Sequence, residues 1–320
     1  MEHASVRDVA RYDSLYISPH GHDALVSCTG RLLSERAEGL RTLVAVVVAS
    51  GTGASPEVRD ALARVGADVL QLRVPAAGER SGRYRAFTDA AFGHDPEDAA
   101  FQEDLADRIR DLAVRTVARR VYVPLGVHPH ADHRLAHEAS LQALAKLMAR
   151  DVLLYEERPS AFVRGAVRVR LGEMGTRLPP GAEVRDDASL LRLLWDFQWS
   201  PHVGSELSGM GERMRCARLL ARRSRATRDW NPLRAYGTRL QPVLAVLRPS
   251  GFERLMGALD LLGGRLAKLF GSRERTVAQS RRYAKRLGAE DHAERYWLLL
   301  PPREEVVTRV SDLDGPEPSS

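Results

Sequence analysis

The sequence predicts an α/β fold: a Rossmann-like parallel sheet with helices on both faces, followed by a mainly helical C-terminal region. Two observations predict this fold. Short apolar runs alternate with longer segments of helical periodicity through the first half of the chain, which is typical of strand–helix–strand units. Several of the short runs are apolar throughout, as expected of strands that are covered on both faces.

The predicted elements alternate along the first half. Strands are expected at residues 14–19, 40–50, 68–74, 120–125 and 151–156. Helices are expected at residues 23–38, 56–65, 101–119 and 132–150. The third helix shows the apolar spacing i, i+3, i+4, i+7 of an amphipathic helix. Turn-forming residues predict loops at 51–55 and 75–82.

From residue 183 onward helical periodicity dominates, and a last strand or buried segment is expected at residues 296–300. We therefore expect a Rossmann-like domain at residues 1–180 and a helical extension packed on it at 181–305. The polar tail at 306–320, which contains proline and glycine, is expected to be disordered.

Composition excludes several classes of protein. No apolar run reaches the length of about 18 residues that a membrane-spanning helix needs. The two cysteines, Cys28 and Cys216, cannot form a disulfide framework and indicate a cytoplasmic protein, and Cys28 is expected to pack rather than react. The net charge of +6 concentrates at residues 213–228. We interpret that segment as a solvated helix face and expect no nucleic-acid partner.

Six of the ten histidines lie in two clusters, each directly after a predicted strand. The first cluster is SPHGHDA at residues 18–24, and the second is HPHADH at residues 128–133, followed by His137. Because ligand sites of open α/β sheets form outside the carboxyl ends of strands, the two clusters can converge on one metal ion.

Imidazole and carboxylate are common zinc ligands, and a catalytic zinc site has three protein ligands and one open position. His20, Asp23 and His133 supply such a set. The remaining polar residues of the clusters are candidates for orienting the ligands or for acid–base catalysis: His22, His128, His130, Asp132 and His137.

Both clusters resemble motifs of the PIG-L/LmbE-like N-deacetylases. SPHGHDALVSCTG resembles their first motif, Ser-Pro-His-x-Asp-Asp, and GVHPHADHRLAHEA resembles their second, a His-x-Asp-His at a helix start. LLYEERPSAF and AERYWLL are similar to two further segments of the family. The resemblance covers residues 14–163 and 293–298. It implies a zinc-dependent hydrolase that removes an N-acyl group from a small, sugar-like substrate.

The resemblance also implies roles for individual residues. The metal ligands of the family fall on His20, Asp23 and His133. Its electrostatic or general-acid histidine falls on His130, which Asp132 is placed to orient. Its catalytic base, an aspartate, falls on His22, and this is a departure from the family pattern. His22 is then a base, an additional ligand or an inactivating change.

Two alternatives stay open. A relative without catalysis that acts as a binding protein would also explain His22. The order His128-x-His130-x-Asp132-His133 further matches the signature of metallo-β-lactamase-fold hydrolases, with His202 and His292 left as downstream ligands.

Aromatic residues add weaker candidates. Tyr155 and Glu156 at a strand end are expected to face the site. Four tryptophans either line a sugar-binding cleft or belong to the core: Trp195, Trp199, Trp230 and Trp297.

Overall fold

A computed structural model describes residues 11–48, 55–144, 150–174, 190–204, 206–207, 209–225, 239–247 and 249–300. Its centre is a seven-stranded sheet in the order β3-β2-β1-β4-β5-β7-β6. The strands are β1 (Ser14–Ser18), β2 (Thr42–Val48), β3 (Ala67–Val74), β4 (Arg120–Pro124), β5 (Asp151–Tyr155), β6 (Arg239–Leu247) and β7 (His292–Leu300). The first five strands are parallel, whereas β7 runs antiparallel to both of its neighbours.

Thirteen α-helices are described, counted over the described residues. They are α1 (Asp23–Ala37), α2 (Pro56–Arg64), α3 (Ala77–Arg80), α4 (Phe87–Phe92), α5 (Asp98–Thr116), α6 (Ala131–Leu144), α7 (Ala166–Glu173), α8 (Leu190–Gln198), α9 (Pro201–Gly204), α10 (Met210–Arg225), α11 (Pro249–Asp260), α12 (Gly264–Phe270) and α13 (Arg273–Arg286).

The alternation of side chains along each strand builds one apolar core on each face of the sheet. Leu15 and Ile17 of β1 point to the face that α5 and α6 cover. Tyr16, between them, points to the opposite face, where α1, α2 and α11 pack. Because both faces are covered, β1 and β2 are buried along their whole length.

The predicted Rossmann-like α/β sheet is confirmed, and the five predicted strands of the first half lie within two residues of their observed bounds. The metallo-β-lactamase alternative is not favoured, because residues 120–133 run from a central parallel strand into α6 rather than through a β-sandwich. The loop prediction at residues 75–82 is wrong in part, since α3 forms there.

The C-terminal half contributes more than helices. Residues 239–247 form the edge strand β6, where the sequence indicated helix, and β7 begins four residues before the predicted segment. Pro242 lies within β6, consistent with an edge position because proline cannot donate a ladder hydrogen bond. The predicted boundary at residue 180 and the predicted tail lie outside the described residues. No described helix is both long and apolar enough to cross a membrane.

Candidate metal centre and active site

The two histidine clusters meet where the strand order reverses. β1 and β4 are parallel neighbours, while the chain continues from β1 to β2 on one side and from β4 to β5 on the other. Such a reversal opens a crevice at the carboxyl ends of the two strands. The turn after β1 carries His20 and His22 into it, the segment between β4 and α6 carries His130, and the first turn of α6 carries His133.

The turn after β1 is held by its own side chains. The Ser18 hydroxyl donates to the carbonyl of His20 and accepts the backbone N–H of Ala24 at 3.0 Å. The backbone N–H of His20 donates to Asp23 Oδ2 at 2.7 Å. These bonds fix the start of α1, so that Asp23 in its first turn points back into the crevice.

His20, Asp23 and His133 converge, with one ligand atom of each lying within 4.8 Å of the others. Asp23 Oδ2 lies 3.1 Å from His20 Nδ1 and 3.6 Å from His133 Nε2. Two atoms that bind one zinc ion with bonds of about 2.0 Å at a tetrahedral angle lie about 3.3 Å apart. These two separations therefore match those of neighbouring ligands on one ion.

The far ring nitrogen of each histidine contacts a carboxylate. His20 Nε2 lies 3.1 Å from Asp132 Oδ2, and His133 Nδ1 lies 3.3 Å from Glu157 Oε1. A carboxylate in this position keeps the proton on the far nitrogen and leaves the near nitrogen free to ligate. Both histidines thus direct the other ring nitrogen towards Asp23.

Arg80 anchors one of these carboxylates. Its Nη1 donates to Asp132 Oδ1 at 2.7 Å, and its Nε donates to Asp98 at 2.9 Å. Burial opposes the charge on Asp132, but hydrogen bonding to His20 and the charge of Arg80 hold the pKa of this carboxyl well below its usual range. Arg80 could not be predicted from the sequence, because an arginine in a segment rich in turn residues carries no signal of burial.

Glu157, also missed, is held by the backbone. It accepts the N–H of Gly126 at 2.9 Å and that of Val127 at 3.0 Å. The expectation that Tyr155 and Glu156 face the site is wrong. The Tyr155 hydroxyl donates to the carbonyl of Ile17, and Glu156 lies in a buried cluster with Tyr283, Arg295 and Trp297.

His20 and His22 have opposite electrostatic environments. Burial lowers the pKa of His20, but hydrogen bonds to Asp132 and Asp23 outweigh burial and raise it to about 10. Burial lowers the pKa of His22 to about 4. His22 Nε2 lies 3.3 Å from Asp23 Oδ1, whereas its buried Nδ1 has no hydrogen-bond partner among the described residues. His22 is therefore neutral at pH 7.

His130 is also neutral, because burial lowers its pKa to about 4. The backbone N–H of Asp132 donates to His130 Nδ1 at 3.2 Å. Since Nδ1 accepts this bond, the single proton of the neutral ring resides on Nε2. His128 Nδ1 likewise accepts the backbone N–H of His130 at 3.2 Å. His130 is thus set to donate a hydrogen bond from Nε2.

A cavity of 470 Å³ opens over these residues, and we call it the metal cavity. Its lining includes His20, His22, Asp23, His128, His130, His133 and, from α9, His202. His137 does not line it: His137 Nδ1 bonds the carbonyl of Pro124 at 2.7 Å.

Trp297 is fully buried in the core, and Trp230 lies outside the described residues. Cys28 is buried, as expected of a packing residue.

Comparison with known proteins gives a structural likeness. No family model matches the sequence, and no curated protein matches it. The zinc-inhibited form of teicoplanin deacetylase Orf2 is 17% identical over 91% of this chain and 99% of that chain, with a TM-score of 0.59. The A40926 pseudoaglycone deacetylase Dbv21 is 17% identical over 91% of this chain and 98% of that chain, with a TM-score of 0.52. The chain therefore shares the fold of these deacetylases.

Proposed function

We propose that this chain is a divalent-metal-dependent hydrolase of the PIG-L/LmbE-like type, which removes an N-acyl group from an amino sugar or a related natural product. The observation that carries the proposal is the convergence of His20, Asp23 and His133 in a cavity that also contains His22 and His130. The shared fold with two deacetylases of natural-product substrates supports it.

The donor set fits zinc. Two imidazoles and one carboxylate leave one position open for water or substrate. The ring nitrogens that face Asp23 belong to histidines whose far nitrogens contact Asp132 and Glu157. Buried carboxylates behind ligating histidines are a regular feature of zinc sites. Zinc held by His20, Asp23 and His133 would polarise an amide carbonyl and make water more acidic.

We assign the role of general base to His22. Asp23 Oδ1 lies 3.3 Å from His22 Nε2, and the negative charge of this carboxylate favours the tautomer of the neutral ring that carries its proton on Nε2. The buried Nδ1 then carries a lone pair and has no partner among the described residues. This nitrogen accepts the proton of the attacking water, as an aspartate would at the same position.

We assign His130 to the substrate oxygen. Its Nε2–H donates a hydrogen bond to the carbonyl oxygen as negative charge develops there, and the ring stays neutral. The proton that His22 takes from the attacking water passes to the amine nitrogen when the C–N bond breaks, which returns His22 to its neutral form. The hydrolysis consumes one water and yields a free amine and a carboxylic acid.

The alternative of a binding protein without turnover, which the shared fold does not favour, depends on His22. Asp23 is itself a proposed ligand, and Asp132 and Glu157 contact the histidine ligands. None of these carboxylates is available as a base, so catalysis depends on His22 alone. If His22 does not function as a base, the site binds metal and ligand but does not hydrolyse.

Acetate release separates the two candidates. Zinc-loaded protein is incubated with a panel of N-acetylated amino sugars and glycopeptides, and acetate is measured. The proposal expects release that a chelator stops and added zinc restores. Bound zinc without acetate release from any substrate of the panel supports the binding protein instead.

A further inference from the structure

A second, larger cavity lies beside the metal cavity. It measures 680 Å³, and we call it the cationic cavity. The segment after β5, helices α8 and α9, and helix α13 provide its walls. Pro159 and His202 line both cavities, so the two are adjoining parts of one cleft. A substrate whose amide lies at His20 can therefore extend into the cationic cavity.

Positive charge dominates this second cavity. Its described lining has six cationic residues and one acidic residue: Arg164, Arg192, Arg275, Arg282, Lys285, Arg286 and Asp196. Asp196 is engaged by Arg192, with Oδ1 and Nε 3.0 Å apart. Arg286 donates to the carbonyl of Phe162 at 3.1 Å.

The other four cations form no ion pair with any described residue: Arg164, Arg275, Arg282 and Lys285. They come from two separate parts of the chain, the segment after β5 and helix α13. Like charges gathered in a concave site repel one another and concentrate anions there. Guanidinium groups in particular bind phosphate and carboxylate through paired hydrogen bonds.

Two tryptophans provide an apolar wall of the same cavity. Trp195 and Trp199 lie one turn apart on and just after α8, with their ring centroids 5.6 Å apart. They are 61% and 56% exposed, which is unusual for such large apolar side chains. Arg213 stacks on the ring of Trp199, with Cζ 4.6 Å from the centroid. Exposed aromatic faces of this kind offer a platform for a sugar ring.

We propose that the cationic cavity binds the anionic part of the substrate, so that the enzyme acts on N-acyl amino sugars that carry a phosphate or carboxylate group. The N-acyl end reaches the metal cavity, a sugar ring packs on Trp195 and Trp199, and the anion binds Arg275 and Arg282. This inference rests on the proposed function for the identity of the ligand, but the cavity can be tested without catalysis.

Binding is measured by isothermal titration calorimetry on the metal-free protein at low ionic strength. The probes are N-acetylglucosamine 1-phosphate, N-acetylmuramic acid and the neutral N-acetylglucosamine. The two anionic probes distinguish a preference for phosphate from one for carboxylate. The test variant is Arg275→Gln with Arg282→Gln. The matched control is Arg218→Gln with Arg254→Gln, two exposed arginines of other helices that do not line the cavity.

We expect wild type to bind at least one anionic sugar about tenfold more tightly than the neutral sugar, because each charged hydrogen bond contributes substantially. The test variant should lose this preference, and the control should keep it. The double variant Trp195→Ala with Trp199→Ala should bind every sugar that wild type binds more weakly, and the affinity should fall by a similar factor for each. Equal affinity of wild type for the three sugars, no binding of either anionic sugar, or an unchanged preference in the test variant would overturn the inference.

Turnover separates this inference from the proposed function. Acetate release from neutral and anionic sugars at equal kcat/KM leaves the proposed function intact and rejects the anionic substrate class. An anion preference in binding without acetate release from any sugar supports the cationic cavity and rejects the hydrolase.

Discussion

Asp132 lies closer to His20 than to His130. Its Oδ2 is 3.1 Å from His20 Nε2 and 3.6 Å from His130 Nδ1. His130 is oriented by the backbone N–H of Asp132 rather than by its carboxylate, because this N–H donates a hydrogen bond of 3.2 Å to His130 Nδ1. One residue therefore serves both functions: its side chain supports a proposed metal ligand, and its main chain sets the proton position of His130, the proposed hydrogen-bond donor to the substrate oxygen.

The support of His20 by Asp132 can be tested by Asp132→Asn. Loss of the carboxylate charge removes the partner that keeps the His20 Nε2 proton in place, so we expect zinc affinity to fall roughly 10- to 100-fold. Competition with a chromophoric chelator measures it. Asp98→Asn is the matched control, because Asp98 also binds Arg80 but makes no contact with a histidine of the site. Equal zinc affinity in both variants would contradict this role.

Glu156 and Glu157 are adjacent in sequence but have different partners. Glu157→Gln weakens the contact to His133 Nδ1, so we expect a loss of zinc affinity of roughly tenfold or more. Glu156→Gln disturbs the cluster of Tyr283, Arg295 and Trp297. It should lower the melting temperature and leave zinc affinity unchanged. An equal loss of zinc affinity in the two variants would contradict the separate roles of Glu156 and Glu157.

The base assignment rests on His22. His22→Ala should reduce kcat by roughly 100-fold or more while zinc content stays the same, because a general base contributes this much. His22→Asp restores an acceptor and should be faster than His22→Ala. His94→Ala, at an exposed position away from the cavity, is the control. Unchanged turnover in His22→Ala would show that another group takes the proton, and loss of zinc would show that His22 is a ligand.

Local sequence signals were sufficient to predict most strands of the parallel sheet. Apolar runs such as that of β2 become buried strands whatever their neighbours are, because both faces of the sheet are covered. β6 was missed because its stability comes from pairing with β7, which is distant in sequence. At an edge, a strand tolerates Pro242 and exposed positions such as Val246, so it lacks the pattern of a buried strand.

The residues of the site also divide into those with a local sequence pattern and those that depend on contacts between distant parts of the chain. The convergence of His20, Asp23 and His133 could be predicted because each belongs to a short motif after a strand. Arg80 contacts Asp132 from 52 positions away in the chain, so no local pattern contains that contact. The exposed Trp195 and Trp199 were named as candidates for a cleft, but only their position in a cavity that α13 also lines distinguishes them from the buried Trp297.

The metal-free protein should be most stable near pH 6.5. Burial lowers the pKa values of His22, His130 and His202 to about 4, about 4 and about 3, so these residues take up protons more readily when unfolded. Stability is therefore lost as pH falls below 6.5. His20, with its pKa raised to about 10, acts in the opposite direction: the stability it contributes is complete below 6.5 and is lost as pH rises towards 10.

Thermal denaturation in the presence of a chelator, between pH 4 and 8.5, measures both the acid and the alkaline loss of stability. His20→Gln should remove the decline between pH 6.5 and 8.5 and keep the acid limb. Above that range Cys28 also contributes, because burial raises the pKa of its thiol. A wild-type melting temperature that does not change from pH 6.5 to 8.5 would be inconsistent with a His20 ring that is hydrogen-bonded to both Asp23 and Asp132.

The central claim is that His20, Asp23 and His133 hold a catalytic metal ion. Elemental analysis of wild type and of His20→Ala, Asp23→Ala and His133→Ala, after equilibration with zinc and gel filtration, tests it most directly. We expect about one zinc ion per chain in wild type and in the His94→Ala control, and loss of zinc in each of the three variants. Full retention of zinc in all three variants would contradict the account.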